Sequence, residues 1–284
     1  MSEGAEEPVV RPRMVALGTV ALDSVQTPVG AVQDVAGGSA LYFAAAAAPW
    51  GRVELVGVMG EDGPEDVLRR LEARRDRSIH TPPELDAGHA GPDALFLGST
   101  APRVQQAVWE AVAPAGVVVL DSMRHWIDDP EERRILEGLL PRVDVLLTTE
   151  GELDAWARPE TDRDAAGEAR TVAWLRARGV EAVVVKAGAR GARVYAREGS
   201  EPSPVPAQLV ARTVDPTGAG DALAGGLVGV LAACVAGGGS WQAGLEEAVR
   251  EGIRAGSVAV RAFSVEALLQ VAEAGAAVAL EGEG

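Results

Sequence analysis

Asparagine is absent from this chain, and lysine occurs once, at Lys186, against a background of arginines. The single cysteine, Cys234, lies in an apolar helical run, so no disulfide framework exists and a reducing compartment is expected. Basic residues are outnumbered 26 to 42, for a formal charge of −16, which argues against nucleic acid and anionic membrane surfaces as general partners. No apolar run of membrane-spanning length is read, Ala44–Ala48 being a short alanine stretch in a core helix. The start, MSEGAEEPVV, is acidic and lacks the basic and apolar regions of a signal peptide. No GxxxxGK[ST] loop and no proper GxGxxG occur, which excludes a Walker A loop and a dinucleotide fingerprint. No repeat or linker-like break is visible either. The 284 residues are read as one main domain over 13–275, with solvated tails at 1–12 and 276–284.

What is present is alternation. Short Val/Leu-rich runs at Met14–Leu17, Val53–Val58, Ala94–Leu97, Gly116–Leu120, Val143–Leu147 and Ala182–Val185 read as buried strands. Helical stretches fall between them: Gly38 to about Ala48, Ala101–Val112 started by Thr100 and Pro102, Glu131–Leu140, and about Asp164–Arg178. Such a pattern predicts a parallel sheet covered on both faces. Val20–Val35 reads as a hairpin with Pro28 and Gly30 at its turn. Gly60-Glu61-Asp62-Gly63-Pro64 is a turn into a helix ending near Arg75. Residues 76–93 are polar, rich in Pro and Gly, and offer no strand; His80 and His89 there are solvated loop residues rather than metal ligands. Further on come a strand at Ala192–Ala196, a proline-punctuated loop, a strand at Leu209–Val214, long helices near Ala219–Ala236 and Trp241–Ala262, and a last helix from Ser264. Ligands of parallel sheets bind beyond the carboxyl ends of the strands, which puts Asp121, Thr149, Gly188 and Asp221 on the active edge.

The most informative stretch is Asp215–Gly229, DPTGAGDALAGGLVG. Pro216 stops the preceding chain, and Thr217, Gly218, Ala219 and Gly220 are small enough for close approach of a ligand to the backbone. An apolar helix opens at once, so several N–H groups and the positive end of the helix dipole meet at one spot suited to a phosphate. Asp221, in the first turn, is either an ordinary N-terminal helix acid or a base set beside an anion hole.

This segment resembles the C-terminal signature D-T-x-G-A-G-D of the ribokinase-like (PfkB-type) sugar and nucleoside kinases, with Pro216 and Thr217 in its variable middle. The resemblance implies an α/β, three-layer ribokinase-like fold: a mostly parallel central sheet, helices on both faces and a small, reduced β lid, here the hairpin at 20–36. It implies transfer of the ATP γ-phosphoryl group to a hydroxyl of a sugar or nucleoside. Asp221 would be the base and Gly218, Ala219 and Gly220 the anion hole. The Lys186-Ala-Gly188-Ala-Arg-Gly191 turn is similar to the family's nucleotide-side K-x-G-x-x-G, although a plain hairpin also wants these glycines. Asp23, Gly37 and Gly38 would line the acceptor pocket, with Tyr42 where the family usually has Asn. Thr149-Glu150-Gly151-Glu152 stands where the family carries N-x-x-E, with Thr149 on the nucleotide side and Glu152 positioning Mg²⁺ through water; it is equally a capping box. A monovalent cation near the signature loop and a cytoplasmic location also follow from the resemblance.

Two rivals differ in class. A non-catalytic nucleotide- or sugar-binding relative would keep the fold with a degraded substrate site, as the two missing Asn residues suggest. A Rossmann-type cofactor enzyme would need a glycine fingerprint that Val15-Ala-Leu-Gly18 does not provide. The lid raises its own expectation. With few residues to extend it, the hairpin is marginal in water unless it packs on something. Either two flaps pair across a homodimer, or closure is poor, acceptor affinity weak and ATP hydrolysis measurable.

Overall fold

Apolar side chains that alternate along a strand fall on opposite faces of a sheet, and the computed structural model shows where each face goes. It describes residues 11–57, 64, 66–67, 69, 79–80, 85, 87–157, 165–196 and 201–273. In chain order the strands are β1 (Arg13–Leu17), β2 (Ala21–Thr27), β3 (Gly30–Gly37), β4 (Arg52–Val56), β5 (Ile79–His80), β6 (Ala94–Leu97), β7 (Val118–Asp121), β8 (Val145–Thr149), β9 (Ala182–Lys186), β10 (Ala192–Tyr195) and β11 (Ser203–Val205). The helices are α1 (Ser39–Ala47), α2 (Pro102–Val112), α3 (Arg124–Asp128), α4 (Pro130–Leu139), α5 (Glu150–Trp156), α6 (Ala165–Arg176), α7 (Ala219–Ala236), α8 (Trp241–Ala259) and α9 (Glu266–Glu273).

Among the described residues one sheet has nine strands in the order β11-β10-β9-β8-β7-β6-β1-β4-β5. From β5 to β9 every neighbouring pair is parallel, and β10 and β11 close one edge antiparallel. Met14, Ala16, Val119, Leu147 and Val184 face one way and share a core with α1, α7, α8 and α9. Val15, Leu17, Leu120, Leu146 and Val185 face the other way, with residues of α2, α4, α5 and α6. The result is the expected three-layer, mostly parallel α/β fold.

α7 lies between α1 and α8, and its glycines set the spacing. At Gly225 a Cβ would run into the Phe43 carbonyl of α1, so only glycine lets the two backbones approach this closely. Phe43 in turn stacks on Phe96 of β6, with ring centroids 4.4 Å apart. By length and composition alone α7 is apolar enough to cross a membrane. Most of it is buried inside the fold, which explains a helix apolar on nearly all sides.

Three local expectations need correction. The stretch 76–93 contains the two-residue strand β5, which pairs in parallel with Leu55 and Val56, and a short 3-10 turn at Ala87–His89. Leu209–Val214 is not a strand: Leu209 is 93% exposed and Val214 donates its N–H to Val260 O. The edge strand is β11, which tolerates Pro204 because an edge leaves one side of the ladder unpaired. Thr100 does not cap α2; its hydroxyl turns back to Gly98 O at 3.4 Å. The Gly60–Gly63 turn and most of the helix expected after it lie outside the described residues.

The hairpin stands apart as a two-stranded sheet, β2 with β3, and its register slips between Asp23 and Val25. It is not unsupported. Ser264 Oγ donates to Ala36 O at 2.5 Å, and Gly30 at the turn comes against the Phe263 ring.

Candidate active site

The loop before α7 is built around a buried carboxylate. Asp215 is 1% exposed and its Oδ1 accepts the Thr217 N–H at 2.9 Å, while Val260 O accepts the N–H groups of Val214 and Asp215. The chain then needs a left-handed residue to enter the helix, and Gly218 supplies it with φ 72° and ψ 0°. No side chain caps α7. Of its first N–H groups that of Ala219 turns back to Pro216 O at 3.3 Å, and the neighbouring glycine N–H groups are the kind of donor that a helix start leaves for an anion.

Asp221 sits in this first turn, half-buried. Burial is the main reason its carboxyl is pushed up to about 7, followed by the negative charge of Asp121; Lys186 and its own backbone N–H pull the other way, and Asp23 adds a smaller push upward. A carboxyl poised there can exchange a proton with a hydroxyl near neutrality.

Beneath this turn lies an ion pair. Residues 117, 119 and 121 share a sheet face with 182, 184 and 186, the face that α7 covers. Asp121 ends β7 and Lys186 ends β9, with β8 between them, and the lysine reaches across to bond both Asp121 oxygens at 2.6 and 2.8 Å. Burial opposes the ammonium, but the Asp121 carboxylate overrides it and holds Lys186 above its ordinary value; burial likewise pushes the Asp121 carboxyl up against the pull of Lys186. A Cβ placed on Gly220 would lie 3.6 Å from Lys186 Nζ, so the ammonium faces Gly220 across no more than the space of a side-chain carbon.

The residues expected on the acceptor side converge on the same place. Tyr42 of α1 is 2% exposed, and its ring covers Gly218 so closely that a Cβ there would collide with it. Burial raises the Tyr42 hydroxyl well above its ordinary value, reinforced by the carboxylates of Asp215, Asp23 and Asp221. Asp23 is held against Gly37, where a Cβ would overlap its carboxylate, and Gly38 (φ 91°) opens α1.

Thr149 and Glu152 form both bonds of a capping box on α5: the Thr149 N–H donates to Glu152 Oε2 at 2.7 Å, and the Glu152 N–H to Thr149 Oγ1 at 3.3 Å. The same Oε2 accepts from Ser122 and Thr148 at 3.4 Å each, and the Glu152 charge is felt by Asp121 and Lys186. Gly188 (φ 58°) and Gly191 (φ 93°) shape the turn that follows Lys186; between them Arg190 is paired with Glu150.

The structure thus brings together Asp23, Gly37, Tyr42, Gly218, Gly220, Asp221 and Lys186. Thr149 lies opposite Lys186 in the β8–β9 ladder, and the two turn glycines are one step further out. What sequence reading missed is the partnership of Asp121 with Lys186; the two-residue period along β7 and β9 was the available signal. Among the described residues no group of three or more His, Cys, Asp or Glu is arranged to hold a metal by itself.

Comparison with known proteins bears on the family and the fold. Residues 99–271, more than half of the chain, match the family described as pfkB family carbohydrate kinase. Among the curated proteins none matches. Of the solved structures, a fructokinase double mutant from Vibrio cholerae O395 in its fructose, ADP and potassium ion bound form is 19% identical, with a TM-score of 0.74 over 94% of this chain and 99% of that one. Aminoimidazole riboside kinase from Salmonella enterica, complexed with aminoimidazole riboside and an ATP analog, is 18% identical, with a TM-score of 0.65 over 93% and 99%. An E. coli protein assigned as ribokinase II, in complex with ATP and Mg²⁺, is 20% identical, with a TM-score of 0.68 over 93% and 98%.

Proposed function

Because the chain belongs to the pfkB family of carbohydrate kinases, we propose that it transfers the γ-phosphoryl group of ATP to a hydroxyl of a sugar or nucleoside, with Asp221 as the base. One observation carries this reading: Asp221, poised near 7, shares the first turn of α7 with the donors at Gly218, Ala219 and Gly220. The carboxylate takes the acceptor's hydroxyl proton while the N–H groups hold the phosphoryl group under attack. Lys186 adds a positive charge at the floor of that site, and Gly188 and Gly191 leave room for the nucleotide. Asp23, held against Gly37, accepts hydrogen bonds from acceptor hydroxyls, with Gly38 at the start of α1 and Tyr42 as the wall of the same pocket.

Mg²⁺ favours one or two carboxylates together with phosphates and its own waters. Glu152, whose Oε2 is committed to the Thr149 N–H, would hold it through water; when bound, the ion offsets charge on the phosphates. Asp215 Oδ2 is buried with no hydrogen-bond partner and would suit a monovalent cation, such as the potassium ion held by the Vibrio fructokinase.

We read residues 13–275 as one kinase domain working in the cytoplasm, with the hairpin at 20–36 as a lid that a homodimer completes. Neither nucleic acid nor membrane is a partner in this reading. Thermal-shift screening with ATP–Mg²⁺ and a panel of sugars and nucleosides, followed by ADP release with each hit, tests the activity. Stabilisation without turnover would favour the non-catalytic relative, for which Tyr42 and Thr149 in place of asparagine are the supporting departures.

A further inference from the structure

We propose that Asp121 is a positioning residue for the base: with Lys186 it forms a charge pair fixed beneath the first turn of α7, and it holds the lysine ammonium beside the turn that carries Asp221. The proposal rests on the reading of Asp221 as the base and adds the device that sets its readiness.

Three observations support it. Asp121 is 5% exposed and grips Lys186 through both carboxylate oxygens, so neither side chain is free to swing. The lysine ammonium faces Gly220, the residue immediately before Asp221, at 3.6 Å from where a Cβ on that glycine would stand. The pair is also anchored from behind, because Asp121 is followed by Ser122, whose hydroxyl bonds Thr148 Oγ1 and Glu152 Oε2. A lysine left to itself in this position would follow solvent or ligand. Held by Asp121, it presents a fixed charge.

The charges around Asp221 come from several elements. Asp121 from β7 and Asp23 from β2 disfavour its ionised form, whereas Lys186 from β9 and its own N–H favour it. Tyr42 from α1 lies within reach of the Asp221 charge, and Glu152 from α5 acts on Asp121 and Lys186. Of these groups, Asp121 and Lys186 are the two bonded to each other, and they pull Asp221 in opposite directions.

Lys186 is the only lysine in the chain, so ¹⁵N-lysine labelling gives a single side-chain ammonium signal in the intact protein. In the parent this signal should shift with a midpoint at about 7 as Asp221 ionises. In Asp221→Asn the inflection should vanish. A flat parent titration, or one unchanged in Asp221→Asn, overturns the proposal.

A second measurement follows the ¹³C carboxyl signal of Asp221, assigned by its loss in Asp221→Asn. Asp121→Asn should lower its midpoint by about one pH unit and Lys186→Met should raise it by about one unit. Shifts in the same direction, or no shift, contradict the proposal, because a merely structural role cannot separate the two signs. Should either variant fail to fold with a stranded buried charge, the lysine titration of the parent decides alone. Neither readout requires phosphoryl transfer. A chain that passes both yet transfers no phosphoryl group loses the kinase reading and keeps the pair; an active enzyme with flat titrations does the reverse.

Discussion

Replacing Asp221 by asparagine should separate two effects of the same carboxyl, on turnover and on stability. The amide nearly preserves the shape but cannot take a proton, so phosphoryl transfer should fall by ~10²-fold or more while ATP binding persists. Stability should move the other way. The folded-state value of about 7 lies above the ordinary 3.8, so the folded chain binds this proton more tightly than the unfolded chain does. Stability is therefore lost as pH rises from about 4 to about 7, and is level above that. Three pH units correspond to about 4 kcal/mol at most, and partial exposure of the carboxyl brings the expectation to about 2–3 kcal/mol. Asparagine does not titrate. The stability of the variant relative to the parent should thus grow by about 2–3 kcal/mol between pH 4.5 and pH 8. Urea unfolding of both proteins at both pH values measures this, and an ADP-release assay measures turnover. A stability difference that stays constant with pH would refute the electrostatic argument, and unchanged turnover would remove Asp221 from the role of base.

Lys186→Ala leaves the buried Asp121 carboxylate without its partner and should cost about 3–5 kcal/mol in denaturant unfolding. Titration calorimetry should also show weaker ATP binding, and equal affinity would leave the lysine with a structural role alone. Gly218→Ala forces a side chain into a left-handed position under the Tyr42 ring; a loss of about 1–3 kcal/mol is expected, with a fall in turnover out of proportion to the unfolded fraction. Hydrogen exchange over residues 20–35, read with sedimentation at several concentrations, should show the outer edges of β2 and β3 slowing as dimer forms. Strong protection in a ligand-free monomer would rule out a lid completed by a second subunit.

The parts of the fold that sequence reveals are those whose cause is local. Val-Val-Leu before Asp121 and Val-Val-Val before Lys186 are short valine-rich runs that read as buried strands, and the glycines before Asp221 read as a close approach at a helix start. β5 was hidden because Ile79–His80 has no pattern of its own and is a strand only through its pairing with β4. Leu209–Val214 misled for the opposite reason: it has strand composition but lies past the sheet's edge, where β11 already occupies the place beside β10. α3, five residues long, is too short for any period to declare itself. In the site, Asp221 and its glycines were legible as one contiguous run. Asp121 was legible as an edge residue but not as the partner of Lys186, since 65 positions separate them and only the strand order brings them together.

Residues 260–264 link parts of the protein that do different work. Val260, at the C-terminal end of α8, accepts the N–H groups of Val214 and Asp215, just ahead of the signature turn. Four residues on, Ser264 takes a left-handed backbone (φ 61°), which is costly for serine, and its hydroxyl reaches the hairpin at Ala36, with Phe263 against the hairpin's tip. The signature turn and the hairpin therefore hang from a single bracket. The consequence is mechanical: play in that bracket is shared by the turn and the hairpin, so in the proposed reaction alignment of nucleotide and acceptor can be lost together through residues that touch neither.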